Sequence, residues 1–155
     1  LIRGYARFAK LPAPQLQTIH WAGFLDGLCL QMPFSVVPVD PALSSRADPA
    51  QLSQAMLNLI KNAHEAGNGN AVRVCVEVTQ QQEWIRIAIS DDGNGMNEAV
   101  LHNALLPFYS TKRDGTGLGL ALTREIAEAH GGRIALANRA EGGLCVTLML
   151  PLQGA

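Results

Sequence analysis

Trp84-Ile85-Arg86-Ile87-Ala88-Ile89-Ser90 runs without a break into Asp91-Asp92-Gly93-Asn94-Gly95-Met96. The first half alternates, with Ile85, Ile87 and Ile89 on one side, the pattern of a strand with one buried face. The second half is acidic and glycine-rich, so the strand ends in a loop. A carboxylate such as Asp91 at a strand end can accept a hydrogen bond from an exocyclic amine. Gly93 and Gly95 let the backbone pass close to a flat ring. A calcium loop has a similar composition, but no glutamate follows at the position that loop requires.

Upstream, residues 71–79 alternate in the same way through Val72, Val74, Val76 and Val78, predicting a second strand. Before it, Asp48 and Pro49 make a strong helix start, a capping side chain followed by proline at the first helical position. That helix is predicted to run through Ala66 and to stop at the turn-forming cluster Gly67-Asn68-Gly69-Asn70. Leu52, Met56, Leu59, Ile60 and Ala63 form its apolar stripe. Asn58, Asn62 and Glu65 form a polar stripe beside it, and a carboxamide oxygen is a neutral hard donor suited to Mg²⁺. Further back, residues 34–39 read as a short strand. Residues 18–31 read as a helix with Trp21, Phe24, Leu25 and Leu28 on one face. Residues 1–10 carry three basic residues and a helix-compatible spacing, and Leu11-Pro12-Ala13-Pro14 stops that helix.

Downstream, a short helix is predicted near residues 97–105, followed by an irregular stretch over 106–117. It contains Pro107-Phe108-Tyr109-Ser110-Thr111-Lys112, an aromatic pair ahead of two hydroxyls and a cation, which reads as a mobile cover. Gly115-Thr116-Gly117-Leu118-Gly119-Leu120 opens a helix over 118–130. Glycine-rich backbone at a helix N-terminus aims N–H groups at an anion. The spacing is neither the dinucleotide fingerprint nor a Walker A loop. Residues 133–138 and 143–150 read as a closing hairpin. Strands that alternate with helices yet end as a hairpin predict an α/β two-layer sandwich, a mixed sheet with helices packed on one face.

Composition narrows the function. Lys plus Arg is 12 and Asp plus Glu is 13, a net charge of −1. That balance argues against nucleic acid as the partner, which calls for a basic excess. Cys29, Cys75 and Cys145 are odd in number and widely spaced. They are expected to be reduced and mostly buried, in a cytoplasmic setting. The longest nearly apolar stretch, residues 21–34, is broken by Asp26 and Gln31 and is short of the ~20 residues a membrane span needs.

Asn-Leu-x-x-Asn-Ala at 58–63, Asp-x-Gly-x-Gly-Met at 91–96, Pro-Phe-x-Ser-Thr-Lys at 107–112 and Gly-Thr-Gly-Leu-Gly-Leu at 115–120 stand in that order. Together they resemble the N, G1, F and G2 boxes of histidine-kinase catalytic domains. That superfamily also holds heat-shock chaperone ATPases, type II topoisomerases, mismatch-repair ATPases and anti-sigma kinases. The match covers about residues 48–151, and the Ser-Thr-Lys form resembles the nitrogen-regulation branch of sensor kinases. The resemblance implies the Bergerat fold, ATP as cofactor with ADP as product, and Mg²⁺.

Carried over position by position, the resemblance makes Asn62 the Mg²⁺ ligand and a catalytic residue together with Asn58 and Lys112. Asn58 stands where chaperone and topoisomerase relatives carry a water-activating glutamate, which fits an enzyme that does not hydrolyse ATP wastefully. Asp91 is implied to read the adenine amine, with Gly93, Gly95 and Met96 around the ring. Gly117, Leu118 and Gly119 are implied to bind phosphates through backbone N–H groups, and Lys112 to reach the terminal phosphates. Phe108, Thr111, Gly115 and Thr116 complete the nucleotide contacts. Glu65 departs from the basic residue many relatives place near the phosphates, which shifts charge neutralisation toward Lys112, Mg²⁺ and Lys61.

None of His20, His64, His102 and His130 stands where the family carries its phosphoacceptor; His64-Glu65 only mimics that dipeptide. Residues 1–14 resemble the end of an upstream dimerisation helix and its linker, and residues 15–155 the catalytic domain. The implied partners are the chain's own upstream phosphoacceptor domain and a response-regulator receiver domain. The full-length protein is expected to be a homodimer, anchored in the inner membrane or not, and the isolated domain a monomer. An anti-sigma-type serine kinase and a non-catalytic nucleotide-sensing module are the alternatives. A chaperone- or topoisomerase-like ATPase is disfavoured by Asn58.

Overall fold

A computed structural model describes residues 11–107, 109 and 119–154. In chain order its elements are β1 (Gln17–His20), α1 (Trp21–Gln31), β2 (Ser35–Val36), β3 (Ser44–Ala47), α2 (Pro49–Glu65), β4 (Val74–Gln81), β5 (Trp84–Asp91), α3 (Glu98–Asn103), α4 (Gly119–Ala129), β6 (Arg133–Asn138) and β7 (Leu144–Pro151).

Five strands form one sheet in the order β2-β4-β5-β7-β6. β2 runs parallel to β4 and the other pairs are antiparallel, so the sheet is mixed, as expected. The alternation does the folding. Val74, Val76 and Val78, then Ile85, Ile87 and Ile89, then Leu144, Val146, Leu148 and Leu150 all turn to one face and are buried there. They meet Leu52, Met56, Leu59, Ile60 and Ala63 of α2 and Trp21, Leu25 and Leu28 of α1 in one core. Burying a side chain of this size is worth roughly 1.5–3 kcal/mol, so this face carries the fold. Asp48 caps α2 as predicted, its Oδ1 accepting the Gln51 N–H at 3.1 Å.

Three expectations need correction. The helix predicted over 18–31 starts only at Trp21, and residues 17–20 form β1, paired antiparallel with β3. Each of these strands has four residues, too few for a readable period, and what locks them is the Trp21 Nε1–H donated to Ser45 Oγ at 2.9 Å in the interior. The strand predicted over 34–39 shrinks to Ser35–Val36. The Val37 N–H still bonds Val76 O at 3.0 Å, but Pro38 has no N–H to extend the ladder. The three cysteines are free and half-buried rather than mostly buried, because Cys75 and Cys145 occupy the outward phase of β4 and β7.

Candidate functional site

β5 delivers Asp91 to the end of the sheet. Alternation puts it on the inward face, in phase with Ile85, Ile87 and Ile89, so a carboxylate is 3% exposed. Its Oδ1 accepts N–H bonds from Gly93 at 2.9 Å and Leu144 at 3.3 Å. Oδ2 has no hydrogen-bond partner among the described residues. Burial pushes the carboxyl pKa above its usual value, against the pull of the two N–H groups and of Arg139. A buried carboxylate with one oxygen fixed and the other unpartnered is poised to accept a hydrogen bond.

The loop after Asp91 is tied down on both sides. On one side the Asn94 N–H bonds Ala66 O at 3.1 Å, and a Cβ on Gly93 would lie 2.8 Å from Ala66, so the loop rests on the end of α2. On the other side stand residues the sequence reading passed over. Asn138, ending β6, accepts the Met96 N–H at 2.9 Å and donates Nδ2–H to Met96 O at 2.5 Å. Arg139 Nη1 donates to Asp91 O at 2.9 Å and to Gly142 O at 3.1 Å, while its Nη2 pairs with Glu141 at 2.9 Å. Gly143 has φ +88, and a Cβ there would lie 1.9 Å from Asp91 O. The signal that could have exposed this turn was the Gly142-Gly143 pair beside the last strand.

α2 and α4 pack side by side and bring two more of the predicted clusters together. Asn58 and Asn62 are half-buried one turn apart on α2. Asn62 Nδ2 lies 3.9 Å from where a Cβ on Gly119, the first residue of α4, would stand. Thr123 is fully buried and closes this helix start by donating its hydroxyl to Gly119 O at 3.0 Å. Glu65 and Lys61 are exposed on α2. The expected contributions of Phe108, Thr111, Lys112, Gly115, Thr116, Gly117 and Leu118, and the cover they belong to, lie outside the described residues, as does the helix expected over 1–10.

Two of the four histidines hold structural positions. His130 is buried, its Nε2 accepting the Asp48 N–H at 3.0 Å and its Nδ1 placed 2.8 Å from Ile126 O. Only the neutral ring with hydrogen on Nδ1 satisfies both bonds. His64 Nε2 lies 2.6 Å from Pro33 O, and His20 and His102 are exposed.

Residues 47–154 match the family model described as histidine kinase-, DNA gyrase B-, and HSP90-like ATPase. The chain is 39% identical over 116 residues to the sensor histidine kinase ZraS of Klebsiella oxytoca, covering 74% of this chain and 25% of that protein. It is 37% identical over 170 residues to the nitrogen regulation protein NtrY of Azorhizobium caulinodans, covering 99% of this chain and 22% of that protein. It therefore spans about a quarter of the length of these curated relatives. The catalytic domain of histidine kinase ThkA superposes with a TM-score of 0.81 at 23% identity, over 90% of this chain and 97% of that one. ThkA in complex with the response regulator protein TrrA gives 0.82 at 20% identity, over 98% of this chain and 46% of that one. At those identities the likeness establishes the fold.

Proposed function

The chain belongs to the histidine kinase-, DNA gyrase B- and HSP90-like ATPase family, and from that premise we propose that it binds Mg-ATP and passes the γ-phosphoryl group to a histidine on a separate dimerisation domain. The observation that carries this reading is the Asp91 carboxylate, buried at a strand end with one oxygen committed to backbone and the other left to accept the adenine amine. Gly93, Gly95 and Met96 line the ring beside it. The phosphate contacts in this reading fall to Gly119 at the start of α4 and, by the family motif alone, to Gly117, Leu118, Lys112, Thr111 and Thr116.

The donor set on α2 fits a magnesium ion. Asn58 and Asn62 present neutral carboxamides at i and i+4, and Asn62 lies beside the start of α4, where an anion is favoured. Asn62 is the ligand in this reading. Bound Mg²⁺ supplies charge neutralisation on the phosphate oxygens. The protein's own part is positioning: it orients the nucleotide and offers no carboxylate at position 58 to activate water. The phosphoryl group then passes to an aspartate of a response-regulator receiver domain, a partner of the kind ThkA is seen with.

Residues 1–14 serve as the tail of the dimerisation helix and its linker. In support, the Pro12 carbonyl accepts Gln51 Nε2–H at 2.8 Å and the Gln15 N–H bonds Asp48 Oδ2 at 2.9 Å, so the incoming chain is fastened to α2. The full-length protein works as a homodimer, with this domain in the cytoplasm. No helix among the described residues is long and apolar enough to cross a membrane.

Calorimetry on Asp91→Asn tests the base reading. Losing an ionised acceptor costs ~1.5–3 kcal/mol, roughly 10- to 100-fold in affinity, for ATP and ADP alike. Unchanged ADP affinity in this variant rules the assignment out. The pH dependence has a definite sign. Binding needs the ionised carboxylate, so affinity falls as pH drops through the raised pKa of Asp91. Fold stability moves the opposite way. A carboxyl harder to ionise in the folded state binds more protons there, so it favours the fold as pH falls through the same window. In Asp91→Asn the acidic loss of affinity attributable to this group disappears.

The magnesium assignment has its own measurement. Asn62→Ala is expected to weaken Mg-ATP binding by about tenfold or more while leaving metal-free nucleotide nearly untouched. Equal losses with and without EDTA take Asn62 out of the metal's coordination.

A further inference from the structure

Asn138 lies at the end of the edge strand β6, and Met96 lies 42 residues away on the acidic loop. One carboxamide takes both backbone groups of that residue: Oδ1 accepts the N–H at 2.9 Å and Nδ2 donates to the carbonyl at 2.5 Å. The amide orientation is fixed by this pairing, since the reversed amide sets donor against donor and acceptor against acceptor. The side chain thereby imitates a residue of an adjacent strand and extends the sheet's ladder onto a loop that has none.

The same carboxamide bears on Gly95. That residue has φ +71, and a Cβ on it would lie 2.7 Å from Asn138 Oδ1. Glycine at 95 is therefore required twice over, by its left-handed backbone and by the amide packed where a side chain would be. Asn138 is also tied to the Asp91 carboxylate through the sheet. Its register partner on β7 is Leu144, the residue whose N–H bonds Asp91 Oδ1. One position thus holds the loop and stands across the ladder from a donor that holds the carboxylate.

We propose that Asn138 is a positioning residue for the nucleotide base: by gripping Met96 through both backbone groups it holds the Gly95–Met96 backbone at the height at which the ring passes over it, in step with Asp91. This rests on the reading of Asp91 and Gly95 as the base site. Arg139 fastens the backbone of Asp91 and the β6–β7 turn, whereas the side chain of Asn138 bonds the loop. Asn138 does not touch the phosphates in this account, so its effect is confined to the base.

The test is a double-mutant cycle on the 155-residue chain, reading ADP affinity by calorimetry and melting temperature in parallel. Removing two backbone hydrogen bonds from the loop with Asn138→Ala is expected to weaken ADP by about ten- to thirtyfold with little change in melting temperature. Asp91→Asn alone also weakens it. In the double variant the loss exceeds the larger single loss by no more than about threefold, because a loop set at the wrong height has already cost Asp91 much of its bond. Should Asn138→Ala not fold, Asn138→Ser is read the same way, since it removes the two-point grip on Met96 and adds no charge. Fully additive losses with a lowered melting temperature mean a merely structural role and overturn the proposal. So does unchanged ADP affinity in Asn138→Ala while Asp91→Asn binds weakly. Unchanged affinity in Asp91→Asn itself removes the base reading, and this proposal falls with it.

Discussion

Gly143→Val is expected to cost the fold about 4 kcal/mol or more, a loss at the exceptional end of single substitutions. A Cβ at this position would stand 1.9 Å from Asp91 O, 2.7 Å from Asp91 C and 2.9 Å from Asp92 Cα, all backbone atoms that no rotamer can move. The residue also has φ +88, which β-branched side chains avoid. Both demands arise because the β6–β7 turn folds directly onto the end of β5. For a domain of this size the loss corresponds to a fall in melting temperature of roughly 8–16 °C. Gly23→Ala is the matched control: it sits in α1 with nothing within 4 Å of its added Cβ. There alanine is neutral or stabilising by up to ~1 kcal/mol. Thermal melts followed by circular dichroism decide the matter, and a Gly143→Val protein that melts with the wild type contradicts the packing described for the turn.

The second large effect is all-or-none. With γ-labelled ATP the chain is expected to bind nucleotide and to carry no label of its own, while an added dimerisation domain bearing the acceptor histidine becomes labelled. His130 is buried with both ring nitrogens engaged, and His64 Nε2 is taken up by Pro33 O. His20 precedes α1 and His102 lies on α3, neither of them on a helix long enough to serve as a dimerisation helix. Position 58 carries a carboxamide and no carboxylate to activate water, so little label is expected to be lost as free phosphate. Transfer in trans is slow, because tethering supplies a high effective concentration that a separate domain lacks. Acid-labile label mapped to His20 or His64 of this chain defeats the account. Acid-stable label on a serine of an added protein points instead to a serine kinase on the same fold.

What could be read from sequence follows from how each element is specified. β4, β5 and β7 declare themselves because one face is buried over the first five residues of β4 and along the whole of β5 and β7, which leaves a readable alternation in Val, Ile and Leu. α2 is equally legible, since Asp48 caps it, Pro49 opens it and its stripe meets the sheet. β1 and β3 hide because between them they bury only Ile19, Ser45 and Ala47, and the bond from Trp21, just past β1, to Ser45 leaves no local trace. The site divides in the same way. Asp91, Gly95 and Asn62 are visible as motif residues at fixed spacing. Asn138, Arg139 and Gly143 are not, because each acts on a backbone group some fifty residues away in the chain and reads locally as an ordinary turn.

α2 is held at both ends, by the segment that leads into β1 and by the loop that follows β5. Pro12 and Gln15 grip its first turn, and Gly93 and Asn94 rest on Ala66 just past its last. Its 17 residues make a rod about 25 Å long. Over that distance screened charge carries little, so any coupling between residues 12–15 and the loop after Asp91 runs through the rod itself. Coupling of this kind is reciprocal. Whatever free energy a shift of residues 12–15 transmits to the loop after Asp91, anything that fixes that loop returns to residues 12–15 in equal measure.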